Sequence, residues 1–366
     1  MTEVDIADAA SRRQLMNAAV LSANRVIEMR REPVPDAGAD ELLVRVLATG
    51  VCGSDLSTYR GTHPYKSAPT VLGHELCGVV ESVGTRVAGI SPGDLVCSAA
   101  FSACEQCSAC RGGAVHLCSA KRNLSHLDWS GSFADRVLLH RNMTHLLPPG
   151  TDPLAGALVE PLSIGLHAVR LLGPAEGRAL AVLGGGTIGL ACVLAAGRLG
   201  FGRTACVDRG SAKGKLATDA GADCYLDAEQ GDPAGRVLEA FDGPVGAVIV
   251  AAGYPAVLDQ AVRIVAPGGV IVVVSYFEQP MTVDPNVWVG RELTVRGSAL
   301  STPDDFETVI GWLRDGSLDP RFLVTHQFPL EEAAAALELL DSSGAGVGKV
   351  VLRPAELSHH HINGGI

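Results

Sequence analysis

Three consecutive glycines break the run ALAVLGGGTIGLACVLAAG, Ala179 to Gly197, which carries no charge over nineteen residues. A stretch this long and apolar could span a bilayer. The glycines point elsewhere, because a buried strand that turns into a buried helix is equally apolar. Gly184, Gly186 and Gly189 stand in G-x-G-x-x-G spacing between a predicted strand, ALAVL, and a predicted helix through Leu199. In that context Gly184 permits a tight turn, Gly186 lets backbone approach a pyrophosphate, and Gly189 allows close helix–strand packing. Thr187 and Ile188 open the helix, whose unpaired N–H groups and positive dipole end attract an anion.

The flanking sequence agrees. After Pro161 apolar strands alternate with helices: TACVD, then CYLD, GAVIVAAG, GVIVVVSYF and ELTVRGS. Continuous apolar strands between helices predict a parallel sheet covered on both faces, a doubly wound nucleotide-binding domain. From about Val20 to Leu146 the pattern differs. ELLVRVLATGVC, HELCGVVESVG and SPGDLVCSAA read as short strands broken by Gly, Pro and Asp, which predicts a small, largely β domain. The 366 residues suit two such domains and exceed one compact core. Thr302 to Pro354 holds two helical segments and a strand, GKVVLRP, and is expected to fold back onto the first half. Residues 1–14 are polar and read as a flexible extension without a signal-peptide core, and 355–366 as a disordered tail despite its three histidines.

Asp208 ends the second strand nineteen residues after Gly189, where a carboxylate binds ribose hydroxyls. It would repel the extra phosphate of NADP, which favours NAD. Arg209 follows at once and can stack on adenine or grip a phosphate, so NADP stays possible. The net charge of −11, with no basic patch, argues against a nucleic-acid partner.

Four of the ten cysteines, Cys104, Cys107, Cys110 and Cys118, fall within fifteen residues. A secreted disulfide protein would be smaller and denser in cysteine; a cytoplasmic chain with clustered cysteines points to metal. The spacing C-x2-C-x2-C-x7-C offers four thiolates to one zinc. A closed all-sulfur shell has no open position, so this site is structural. The chemistry needs another place. GVCGSD supplies Cys52, Ser54 and Asp55; LGHE supplies His74 and Glu75; VEPLS supplies Glu160. A thiolate, an imidazole and a carboxylate form an incomplete zinc shell whose open position can polarise an alcohol oxygen. Hydride then passes from the carbinol carbon to a nicotinamide. Each residue alone also fits a core or turn role; the combination is what is specific.

The motifs GVCGSD, GHE, GDLV, the four-cysteine loop, EPLS, GGGTIG and PGG together resemble the zinc-dependent medium-chain dehydrogenases of the alcohol, polyol and threonine type. The resemblance covers roughly Leu15 to Pro354. It implies an α/β chain: a GroES-like β domain of residues 15–163 and 300–354 plus a Rossmann NAD-binding domain of 164–299, with the active site between them. It implies two zincs per chain. Cys52, His74 and Glu160 would hold the catalytic one, with Glu75 beside it or as alternate ligand. Ser54 would pass the substrate proton and Asp55 would orient His74. It further implies a small-molecule substrate, no membrane partner, and a homodimer or homotetramer. Glutamate in EPLS resembles the polyol branch, whose substrates carry several hydroxyls. VCGSDLSTYRG is also similar to 2-deoxy-scyllo-inosamine dehydrogenases, which suggests an aminocyclitol or sugar in natural-product biosynthesis. A threonine-type enzyme and a ketone reductase are the alternatives. One departure stands out: Ser57 occupies the position where many relatives have histidine, which leaves the last proton step to solvent open; His63 is a candidate substitute, but it reads as a loop histidine in solvent. Tyr59, Trp129 and Tyr276 mark loops expected to set substrate choice.

Overall fold

The computed structural model describes residues 14–277, 279–342 and 346–355. The expected extension and tail lie outside the described residues, save Gln14 and Ala355.

Six strands form a parallel sheet in the order Cys224–Asp227, Thr204–Asp208, Leu180–Leu183, Val245–Val250, Val265–Val273, Thr294–Gly297. Every pairing in it is parallel. Such strands lose both faces to covering helices, which is why they read as unbroken apolar runs. Leu180–Leu183 sits between the second and the fourth strand in chain order, so the winding reverses direction beside it. Ligands bind at such a switch point, outside the carboxyl ends of the strands. The helix Thr187–Arg198 starts there, capped by Gly186.

The other half is built on a mostly antiparallel seven-stranded sheet. Its long strand Glu41–Val51 pairs with Glu75–Val83 on one side and with Lys349–Arg353 and Arg136–His140 elsewhere along its length. The segment after residue 302 therefore returns to this sheet. It also adds a strand the sequence pattern did not reveal, Val324–Pro329, parallel to Lys349–Arg353. Its residues VTHQFP alternate between half-buried and exposed, so no apolar run announces it.

One helix ties the halves together. Val159–Arg170 buries Leu162 and Leu166 in a core shared with Leu42 and Val44 of the β sheet and Leu190 of the nucleotide half. Each such leucine contributes about 1.5–3 kcal/mol of burial. Helix Pro303–Arg314 packs alongside. Thr302 caps it, and Asp305 accepts from His167 Nδ1 at 2.9 Å and from Arg170 at 2.5 Å. The helix that carries Glu160 is thus fastened at its far end. Among the described residues no helix is long and apolar enough to cross a membrane.

Candidate metal and cofactor sites

Register brings the first site together. Gly50 pairs with Glu75 across adjacent strands. Cys52 follows two residues later as the N-cap of helix Gly53–Arg60, and His74 immediately precedes Glu75. The donor atoms of Cys52, His74 and Glu75 lie within 4.8 Å of one another. A side chain at position 50 would not fit, because a Cβ there would stand 2.0 Å from Glu75 Oε2. Glu75 Oε2 accepts from the buried ammonium of Lys349 at 2.5 Å, which also donates to the Val51 carbonyl at 3.2 Å. Glu75 Oε1 and His74 Nδ1 are buried with no hydrogen-bond partner among the described residues. Buried polar atoms are rarely left so. An unpartnered carboxylate oxygen, Glu75 Oε1, in a thiol–imidazole–carboxylate cluster fits a zinc ion, whereas His74 Nδ1 faces Asp55.

Asp55 lies behind this cluster, buried. It accepts from Cys52 N at 3.0 Å and Gly73 N at 3.1 Å, and its Oδ1 stands 3.6 Å from His74 Nδ1, too long for a hydrogen bond. Burial pushes its carboxyl up, but His74, Lys66 and the Cys52 N–H outweigh that and hold it at about 2. Glu160, in the first turn of its helix, is buried beside His74, Glu75 and Asp55 but stands outside the tight trio. Burial, with the charges of Glu75 and Asp55, pushes its carboxyl up to about 7 against the pull of His74 and Lys349. The close carboxylate is therefore Glu75, brought in by the strand that carries it and by Lys349, whereas Glu160 arrives on a helix from across the molecule.

The neighbouring loop carries what sequence reading overlooked. Lys66 is only 6% exposed, and its ammonium has no hydrogen-bond partner among the described residues. It feels Asp55, Cys52 and Glu160 electrostatically. His63, expected in solvent, is half-buried. Its Nδ1 accepts from Lys66 N at 3.1 Å and Tyr65 N at 3.4 Å, which places a neutral ring's proton on Nε2. Burial and Lys66 push it down to about 4. Tyr65 stacks edge-on against His63 and His126. Ser54 is half-buried at the start of its helix. Its carbonyl accepts from Ser57 Oγ at 3.0 Å, and its hydroxyl has no partner among the described residues.

The three loop aromatics separate. Tyr59 is buried against Arg25, in a core with Leu21 and Leu337, and turns away from the metal cluster. Sequence could not show this, because a short helix without a clear apolar face leaves open which side meets the core. Trp129 is also buried, donating to the Leu138 carbonyl at 3.0 Å under Arg122. Tyr276 is 79% exposed and near enough to Tyr65 for the two hydroxyls to interact electrostatically.

In the cysteine loop the four sulfurs of Cys104, Cys107, Cys110 and Cys118 lie within 4.8 Å of one another, all as free cysteines. Cys118 Sγ accepts from Cys104 N at 3.3 Å. Four unbridged sulfurs in one cluster fit a zinc ion and leave it no open position. His116 in this loop packs edge-on against His167, 4.8 Å between ring centres.

At the switch point Gly184 takes φ +115°, and a Cβ on Gly189 would lie 1.7 Å from the Gly184 carbonyl. Both positions require glycine. Asp208 turns back into this loop: Oδ2 accepts from Gly185 N at 2.9 Å and Lys213 Nζ at 2.8 Å. Arg209 is exposed. Lys213 is a further basic group that sequence reading missed. With Thr187 and Ile188 opening the helix, the turn presents free backbone N–H groups to a pyrophosphate.

Comparison with known proteins agrees with this geometry. An alcohol dehydrogenase GroES-like domain model matches residues 38–149, and a zinc-binding dehydrogenase model matches 187–315. An L-threonine 3-dehydrogenase of Bacillus velezensis is 32% identical, covering 89% of this chain and 95% of its own. A sorbitol dehydrogenase of Bacillus subtilis is 31% identical, covering 89% and 93%. A crystal structure of a Sinorhizobium meliloti protein bound to NADP superposes with a TM-score of 0.86 at 31% identity, covering 93% of this chain and all of that one. A GroES-like domain joined to a Rossmann-type sheet, with these relatives, makes the chain a member of the zinc-dependent medium-chain dehydrogenase family.

Proposed function

We propose that this dehydrogenase oxidises a secondary alcohol of a polyol, sugar or aminocyclitol with NAD, at a zinc held by Cys52, His74 and Glu75 and approached by Glu160. The observation that carries the reading is the cluster of three donor groups within 4.8 Å, in which Glu75 also has a buried, unpartnered oxygen. When bound, zinc polarises the substrate oxygen. Ser54 would relay the hydroxyl proton, accepting it as its own proton passes on to solvent. Asp55 keeps His74 in place from behind, and Lys349 holds one oxygen of Glu75. The glycine turn seats the pyrophosphate and Asp208 accepts from the ribose. Bound NAD would supply the acceptor for the hydride of the carbinol carbon. Glu75, Glu160 and Lys66 make the surroundings polar, which suits a substrate with several hydroxyls. A second zinc in the four-cysteine loop has a structural role.

The test is cofactor reduction by the zinc-loaded protein with 2-deoxy-scyllo-inosamine, sorbitol, a sugar panel and L-threonine. Preference for the aminocyclitol supports a role in natural-product biosynthesis, and turnover of open-chain polyols supports sugar metabolism. Threonine alone favours the second reading, for which a 32% identical relative speaks. No turnover of any alcohol with either nicotinamide cofactor overturns the proposal.

Cofactor choice has its own test. Asp208→Gly removes the carboxylate that repels a 2′-phosphate and leaves Lys213 and Arg209 beside it. The ratio of kcat/KM for NAD over NADP should fall at least about tenfold, equivalent to ~1.4 kcal/mol. An unchanged ratio sinks the assignment of Asp208.

A further inference from the structure

We infer that Lys66 is a specificity-determining residue, whose ammonium donates to a second oxygen of the substrate beside the one being oxidised. The inference rests on the dehydrogenase reading above and extends it to substrate choice.

Two lysines enter the metal cluster, and they differ in one respect. Lys349 is saturated by Glu75 and by the Val51 carbonyl. The Lys66 side chain is buried almost as deeply, yet its Nζ has no hydrogen bond among the described residues and is not among the buried unpartnered atoms, so its ammonium meets solvent. Its backbone is fixed, because Lys66 N donates to His63 Nδ1. Its electrostatic partners are Asp55, Cys52 and Glu160, which places the charge in the site. Asp55 is not its acceptor: the carboxylate oxygens accept from Cys52 N and Gly73 N, and no hydrogen bond joins them to Lys66 Nζ. Glu160 likewise has no hydrogen bond among the described residues.

A substrate seated there strips water from the ammonium, and one that supplies an acceptor in exchange avoids the cost of leaving it unpaired. The ligand must therefore bring an oxygen. A hydroxyl can accept from Lys66 and donate to Glu160 at once. A carboxylate can accept from Lys66 only. An ammonium in that place is repelled. A site built around a donor discriminates strongly against the analogue that lacks the acceptor.

The probes are butane-2,3-diol, 3-hydroxybutanoate and butan-2-ol, which offer a second oxygen as hydroxyl, as carboxylate and not at all. With the zinc-loaded protein and NAD, the wild type should favour an oxygen-bearing probe over butan-2-ol in kcat/KM. Lys66→Met should reduce that preference about ten- to a hundredfold, mainly through KM, and Lys66→Arg should restore part of it. Which probe loses most identifies the acceptor as hydroxyl or carboxylate. If Lys66 only balanced the charge of the metal site, all three probes would lose rate together; a preserved preference overturns the inference.

Binding gives a second readout that does not depend on turnover. The diol or the hydroxybutanoate should raise the Tm of the protein–NADH complex more than butan-2-ol does, and Lys66→Met should erase the difference. No difference in the wild type, or one that survives in Lys66→Met, overturns the inference. A Lys66-dependent shift without reduction of NAD or NADP by any alcohol would instead overturn the dehydrogenase reading and leave Lys66 as a ligand contact.

Discussion

Cys52→Ser abolishes alcohol oxidation, lowering kcat by about a thousandfold or more, while the protein still folds and binds NAD. A serine hydroxyl does not ionise near neutral pH, so the cluster loses its thiolate and its hold on zinc. The trio then keeps only His74 and Glu75, and Glu75 is already shared with Lys349. The nucleotide turn is spared because Gly184, Gly186 and Gly189 belong to the other sheet. Three measurements check this on one sample: NADH formation, metal content by elemental analysis, and NAD affinity by titration. Metal content should fall by one zinc per chain. Full metal content with full turnover would remove Cys52 from the site. Loss of NAD binding along with turnover would show that the two halves are less independent than their separate sheets suggest.

Cys107→Ser acts in the opposite sense, on stability first. Four thiolates in one loop make metal binding part of folding, and removing one forfeits much of that free energy. A loss of about 3 kcal/mol would lower Tm by roughly 6 °C. The loop is not an isolated appendage. His116 packs on His167, and His167 is bonded to Asp305. Loosening the loop therefore removes support from the far end of the helix that bears Glu160. Calorimetry of the variant beside chelator-treated wild type checks this, and both should shift together. An unchanged Tm in Cys107→Ser would show that the loop's metal does not stabilise the fold.

What could be read from the sequence was what is local. The glycine turn, its strand and its helix lie within nineteen residues, and each glycine answers a steric demand of its immediate neighbours. The four cysteines are likewise close in the chain. Asp208 was legible because the length of a helix and a strand fixes its distance from the turn. The features that escaped are long-range or concern orientation. Lys349 reaches Glu75 across 274 positions, and its surroundings in GKVVLRP look like an ordinary strand start. Lys66 sits in a loop of Pro, Ser and Gly where a surface lysine is the usual expectation. The order of Glu75 and Glu160 around the cluster depends on how a helix from one half meets a strand from the other. Tyr59 shows the same limit on a smaller scale, since its helix could have turned either face inward.

The bond between Lys349 and Glu75 has a consequence for how the molecule is made. Glu75 emerges from the ribosome long before Lys349, and the entire parallel sheet is synthesised between them. Domains generally fold in order of synthesis. Here the nascent β half must wait, with the Glu75 carboxylate uncompensated and the Thr49–Val51 end of its long strand unpaired on one side, until the nucleotide half has emerged and Lys349–Arg353 can close the sheet. Completion of the metal cluster is thus a late event in biosynthesis, and zinc entering earlier would meet a site that still lacks its charge-balancing lysine.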